Sequence, residues 1–168
     1  MDFLEKDLEQ IIWDSWNEDK GETLSNRGLE MFHNRLFRQL KIGNYGIADL
    51  VGVSRYPRGL HITIYELKKE TIGISAFLQA VGYARGIQRY LEYRGFKYNI
   101  YINIVLIGKH IDTKSTFCYL PDIINVDKFE LSNYTYFYSI DGVYFETHLG
   151  FKIKNEKWLS KDIMKNNF

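Results

Sequence analysis

Asp49, Glu66 and Lys68 are the residues whose types and spacing could do chemistry. Glu66 and Lys68 end an apolar run, Leu60 to Lys68, that alternates as a β-strand does. Leu60, Ile62, Ile64, Glu66 and Lys68 fall on one face, and His61, Thr63, Tyr65 and Leu67 on the other. Successive strand side chains point to opposite faces, so the carboxylate and the ammonium lie side by side. Asp49 belongs to the preceding strand candidate, Tyr45 to Ser54, among Ile47, Val51 and Val53. A charge in such surroundings is costly unless it is paired or holds an ion. Two carboxylates on neighbouring strands offer hard oxygens to Mg²⁺ or Mn²⁺. With a lysine beside them, the set suits hydrolysis of a phosphodiester, because a bound cation acidifies its water and offsets charge growing on the phosphate. The plain alternative is an ion pair, Lys68 with Asp49 or with Glu66.

The elements that must position these groups follow from periodicity. Residues 2 to 16 read as a helix with Leu4, Leu8, Ile11 and Ile12 on one stripe. Glu5 sits at the edge of that stripe and Glu9 one turn on, further toward solvent. Asn17 to Ser25 reads as a loop. Residues 26 to 40 are readable as a helix that passes into a strand near Phe37. Gly52 inside the first strand suggests a bulge. Tyr56-Pro57-Arg58-Gly59 is a turn, making the two strands an antiparallel hairpin.

Ser75 is a candidate N-cap for a helix over 76–93, with Phe77, Ala80, Ala84, Ile87 and Leu91 on its buried face. Gln79 and Tyr83, at i and i+4, share a stripe beside that face. Tyr98 to Ile107 is apolar on both faces and reads as a central strand. Strand, helix, strand in this order is a right-handed crossover. Residues 116 to 151 read as an aromatic β-rich extension. There Tyr134 to Ile140 and Val143 to Phe151 flank an Asp141-Gly142 turn. Residues 155 to 168 read as a polar, basic short helix or tail. The fold class is therefore α/β, a mixed sheet flanked by helices, in one domain over residues 1–168 whose catalytic core spans 45–107.

Composition bounds the partners. The 168 residues carry a net charge of +1, so any nucleic-acid contact must come from a local patch. A single Cys, Cys118, excludes an internal disulfide and fits a reducing, cytoplasmic setting. Its place in an aromatic stretch suggests packing. No apolar run is long enough to span a membrane, and the acidic N-terminus is unlike a signal peptide. His33, His61, His110 and His148 lack transition-metal spacing and read as structural or surface groups. The aromatic residues of 117–151 could stack on bases, although such residues more often fill a core. Lys152, Lys154, Lys157, Lys161 and Lys165 bias the C-terminus positive.

Taken in order, these pieces resemble the PD-(D/E)xK nuclease superfamily, and most closely the NucS-type endonuclease catalytic domain. The resemblance rests on Glu5-Lys6-Asp7-Leu8-Glu9, Arg38-Gln39, Gly46-Ile47-Ala48-Asp49-Leu50, Ile64-Tyr65-Glu66-Leu67-Lys68, and Gln79 with Tyr83. It covers roughly residues 3 to 93. Archaeal Holliday-junction resolvases resemble it more distantly.

The resemblance implies a restriction-endonuclease-like fold and a DNA nuclease. Asp49 and Glu66 would bind Mg²⁺ or Mn²⁺, with the Leu67 carbonyl as a further ligand and Glu5 holding the metal directly or through water. Glu5 is preferred to Glu9 because it lies nearer the buried stripe. Lys68 would orient or help deprotonate the attacking water and stabilise phosphate charge. Gln79 and Tyr83 would position Lys68, the phosphate or the helix, and Arg38 would face a phosphate or serve the structure. DNA is the expected partner. A homodimer is compatible with cutting two strands, and no small-molecule cofactor is expected.

Three features depart from the family. The NucS-type proteins carry a separate N-terminal domain, whereas here the catalytic-type domain is expected to start almost at Met1. Ala48, where Pro is common, precedes Asp49. Nothing after Phe96 matches. A junction resolvase and a catalytically silent relative that binds DNA or a protein are the alternatives.

Overall fold

In the computed structural model, residues 5–148 are described. Residues after His148, including the expected strand end near Phe151 and the lysine-rich 155–168, lie outside them. Six strands form one mixed sheet in the order β1-β2-β3-β5-β7-β8. β1 (Arg35–Lys41), β2 (Ile47–Tyr56) and β3 (Gly59–Leu67) make an antiparallel meander. The helix α3 (Ile74–Tyr93) carries the chain from β3 to β5 (Asn99–Gly108), which runs parallel to β3. β7 (Phe129–Ser139) is parallel to β5, and β8 (Gly142–Thr147) closes the far edge as a hairpin. A two-stranded ribbon, β4 (Thr71–Ile72) with β6 (His110–Ile111), continues beyond the ends of β3 and β5. The expected α/β class is therefore the observed one.

Both faces of the sheet are covered, which explains the near-continuous apolar runs of β3 and β5. On one face Ile62, Ile64, Ile102, Ile104, Leu106 and Leu131 pack against Ala76, Phe77, Ala80 and Ala84 of α3. On the other, Tyr65, Leu67, Val105 and Ile107 pack against Leu8, Ile12 and Trp16 of α1 (Glu5–Asp19), with Leu24 of the short α2 (Glu22–Asn26). Each such fully buried aliphatic side chain stabilises by about 1.5–3 kcal/mol.

Several local expectations are corrected. α1 runs on to Asp19, because Trp16 is buried and its indole N–H donates to the Met31 carbonyl at 2.9 Å. The supposed loop 17–25 contains α2, which begins after Lys20 and Gly21 turn the chain with positive φ. Residues 27–34 form no helix: beyond Asn26, the last residue of α2, the chain is irregular, with Leu29 and Met31 buried, and then enters β1. A 3-10 turn at Gly43–Tyr45 delays β2 to Ile47. Gly73, not Ser75, caps α3, which starts at Ile74. The second hairpin turns on Ile140-Asp141, since Gly142 already pairs with Ser139. Arg27 fills the space over Gly142 and donates to the Asp141 carbonyl at 2.8 Å. Cys118 lies in a 3-10 turn, Thr116–Tyr119, rather than a strand, and is buried. Gly52 marks no bulge, because its register with Leu36 and Thr63 is regular. It is glycine because the His33 ring lies over it, 2.2 Å from where a β-carbon would be.

Candidate active site

Glu66 stands one residue before the end of β3 and is almost fully buried, at 2 % exposure. Its row of the sheet runs to Leu106 on β5 and Asn133 on β7. Lys68 is the first residue past the strand. Its main-chain N–H still reaches the Ile107 carbonyl at 2.8 Å, so the backbone remains anchored where the side chain turns to Glu66. The Lys68 ammonium donates to Glu66 Oε1 at 3.1 Å. Glu66 Oε2 is buried with no hydrogen-bond partner among the described residues. A buried carboxylate oxygen without a partner is rare and calls for an explanation.

Asp49 faces this pair from β2. The β2–β3 ladder is regular up to Leu50↔Tyr65 and stops there, so the strands splay where Asp49 would stand opposite Glu66. The Leu67 N–H, left without β2 as a partner, donates to Asp49 Oδ2 at 2.9 Å. The same step disturbs β1. Gln39, at the register position of Asp49, takes a left-handed φ of 49°. Phe37 and Leu40 both pack on the α3 side, as do Val51 and Ala48. Simple alternation cannot give that spacing, so both strands change phase at Gln39 and Asp49.

This phase change places Glu9. Consecutive strand residues normally point to opposite faces. With Gln39 left-handed, Arg38 and Gln39 both reach the α1 side. Arg38 pairs with Glu9 Oε1, and the Gln39 amide donates to Glu9 Oε2 at 2.5 Å. Glu9 is 5 % exposed, so the expected order of the two helix carboxylates is reversed: Glu9, not Glu5, is the more buried. Its oxygens are both engaged. Glu5 is half-buried and accepts only a long contact, 3.4 Å, from the Lys69 N–H. Glu5 therefore keeps the freer carboxylate, for a different reason from the one the helical stripe suggested. Arg38 is committed to Glu9 rather than held free for a phosphate.

Gln79 and Tyr83 meet as their spacing requires. The Gln79 amide donates to the Tyr83 hydroxyl at 2.7 Å, with Gln79 exposed and Tyr83 buried. Tyr83 packs on Gly46, where a β-carbon would stand 3.0 Å from its ring. The sequence pattern did not reveal the Gly46 contact or the Gln39 conformation. A clue to the latter is that Arg38-Gln39 breaks the apolar alternation of β1.

The electrostatics are those of crowded carboxylates. Burial, with Glu5 and Glu9 nearby, pushes Asp49 up to about 6, against the pull of the Leu67 N–H and Lys68. Burial and the Asp49 charge push Glu66 up to about 7, although Lys68 counters them. Burial alone would lower Lys68, but Glu66, with Glu5 and Asp49 behind it, holds the ammonium above its ordinary range. Burial raises the Tyr83 hydroxyl, and Glu66 and Asp49 raise it further. Among the described residues, Glu66, Glu5 and Asp49 thus outnumber the Lys68 ammonium that faces them.

A divalent cation fits this donor set. Glu66 Oε2 is buried and unpartnered, Asp49 stands opposite, and Glu5 has oxygen to spare. Among the described residues, no three acidic, histidine or cysteine side chains stand close enough to cage an ion by themselves. An ion here would draw on two carboxylates, main-chain oxygen and water, the manner of Mg²⁺ rather than of a structural zinc. No described helix is long and apolar enough to cross a membrane.

No family model matches the chain, and neither a curated protein nor a solved structure matches it.

Proposed function

We propose that this chain is a Mg²⁺- or Mn²⁺-dependent nuclease of restriction-endonuclease-like fold that hydrolyses phosphodiester bonds in DNA. The observation that carries the reading is the buried Glu66 Oε2, unpartnered among the described residues, on a carboxylate whose other oxygen holds Lys68 and which the Asp49 charge also faces. The resemblance of the ordered motifs supplies DNA as the substrate. Asp49 and Glu66 would hold the ion, with Glu5 in support, and the ion would supply an acidified water and a counter-charge for the phosphate.

The protein's own groups do the remainder. Lys68 stays protonated near neutrality, because three carboxylates surround it. It therefore serves as a fixed cation for the phosphate oxygens and a hydrogen-bond donor that orients the attacking water, not as the base. Gln79, exposed and donating to Tyr83, stands at the open side of the site and contacts the incoming strand. The Glu9–Arg38–Gln39 cluster holds β1 and β2 in the shape that aims Asp49.

The test is cleavage of single-stranded, duplex, flapped and four-way-junction DNA in Mg²⁺ and then Mn²⁺, beside Lys68→Ala. Cleavage by the parent and a loss of about 10²-fold or more in the variant are expected. Equal cleavage by both, or none by either, would overturn the reading. Preference for the four-way junction would define the enzyme as a resolvase.

A further inference from the structure

The α3 face of the sheet carries a second polar site, two strands from Glu66. Asn133 occupies the Glu66 row on β7, across Leu106, so the spacing is about 10 Å. Asn133 is 0 % exposed, and among the described residues neither its amide oxygen nor its amide nitrogen has a partner. His148 lies opposite it, with its N–H on the Asn133 carbonyl at 2.8 Å. The His148 Nε2 is also buried and without a partner among the described residues. Three orphaned polar atoms on adjacent strands are not explained by packing, because each costs about 1–3 kcal/mol of unreturned desolvation.

His148 lines an open cleft of about 490 Å³ beside them. The cleft exists because β5 and β7 stop pairing at Gly108↔Thr135. Beyond that point β6 leaves to join β4, while β7 continues to Ser139. Lys109, His110 and Thr113 form one wall, and Thr135, Phe137 and Glu146 the other. The first wall offers cationic and hydroxyl donors suited to a phosphate. Phe137 is 45 % exposed and already stacked on Tyr144, which leaves an aromatic surface for a base. Glu146 offers an acceptor for a sugar hydroxyl or an exocyclic amine.

We propose that this cleft seats one nucleotide of the strand flanking the cut, with its phosphate at Lys109 and His110 and its base against Phe137. His148, which lines the cleft and is backed by Asn133, lies against it. The assignment of the nucleotide to a scissile strand rests on the nuclease reading; the binding of a nucleotide does not.

The full chain, in EDTA, is titrated with 2′-deoxyadenosine 5′-monophosphate while the histidine ring signals are followed by NMR. Deoxyadenosine and inorganic phosphate are run separately. Saturable shifts of His110 and His148, with His33 and His61 unmoved, are expected. Binding should be about tenfold weaker in Lys109→Ala, a surface change that spares the core. Weaker binding by both deoxyadenosine and phosphate than by the mononucleotide would support a nucleotide site. Equal binding by phosphate alone would overturn it in favour of a bare anion site. Unmoved His110 and His148 would overturn it outright. Because the readout needs no metal and no turnover, DNA cleavage without these shifts removes the subsite and leaves the nuclease reading intact. Shifts without cleavage do the reverse.

Discussion

Glu66→Gln removes one charge from the candidate site without changing its shape, and the structure fixes the sign of the effect. The folded protein holds the Glu66 proton up to about 7, whereas the unfolded chain releases it near the ordinary 4.5. Between those values the folded state binds more protons than the unfolded one. Stability therefore falls as pH rises through that window, and is regained as pH drops. The gap converts to roughly 3 kcal/mol in full. A lower figure, on the order of 2 kcal/mol, is appropriate because part of the push comes from Asp49, which is half-buried and solvent-screened.

Urea unfolding in EDTA reads this directly. At pH 8 Glu66→Gln should be more stable than the parent by about 1–2 kcal/mol, and the decline between pH 4.5 and 7 should shrink. Added Mg²⁺ should reverse the ranking. At a hundred times its dissociation constant, an ion that binds only the folded parent adds roughly 2.7 kcal/mol, and the variant should gain little. A variant less stable than the parent at pH 8 in EDTA would refute the reasoning. It would mean that the Glu66–Lys68 pair repays its own burial and that the site has no unmet demand for a cation.

Other perturbations separate neighbouring roles. Glu5→Gln should leave metal-free stability nearly unchanged and weaken Mg²⁺-dependent stabilisation, whereas Glu9→Ala should cost about 3 kcal/mol without metal, because it strands the Arg38 charge. Thermal or urea unfolding with and without Mg²⁺ distinguishes them, and the opposite pattern would make Glu9 the ligand. Burial holds His33 down at about 4, with its ring hydrogen-bonded to the Tyr65 hydroxyl at 2.6 Å. The unfolded chain takes up that proton first, so His33 makes stability fall as pH drops from 6.5 toward 4. His33→Gln should abolish this acid arm and unmask the opposite slope of Asp49 and Glu66; an unchanged profile would show that His33 is not the titrating group. Gly52→Ala should cost about 1–3 kcal/mol by displacing the His33 ring, and a second change, His33→Ala, should return most of it.

Much of the scaffold is legible in the sequence because it follows period and burial. The alternation of Leu60 to Lys68 and of Tyr98 to Ile107 predicted β3 and β5, and their two apolar faces are the two cores. The helix between them was equally plain from Phe77, Ala80 and Ala84. What period could not show is where a tertiary contact overrides it. Trp16 extends α1 because Met31, fifteen residues away, accepts its indole hydrogen. Residues 27–34 carry helix-like apolar spacing, yet the chain stays irregular because Leu29 and Met31 are wanted under α1. The aromatic stretch after Phe117 also divides by contact rather than by type. Phe117, Tyr136 and Phe145 are core, while Phe137 and Tyr138 remain half open to solvent.

The candidate site shows the same division. Asp49, Glu66 and Lys68 could be paired on paper because strand geometry alone brings them together. The ranking of Glu5 above Glu9 could not be argued soundly from the helix, because the deciding group is on another element. Arg38 and Gln39 reach Glu9 only when Gln39 adopts its left-handed turn, a conformation disfavoured for a residue with a β-carbon. That strain is sustained by two hydrogen bonds to one buried carboxylate. It sits at the single register position across from Asp49, where β2 also leaves β3. A regular sheet would have spent the Leu67 N–H on β2 and pointed Asp49 along the ladder. The irregular one turns the carboxylate onto Leu67 and toward Glu66. Glu9 thus neutralises a cation and bends two strands, so that the carboxylates left for an ion are Asp49, Glu66 and the less buried Glu5.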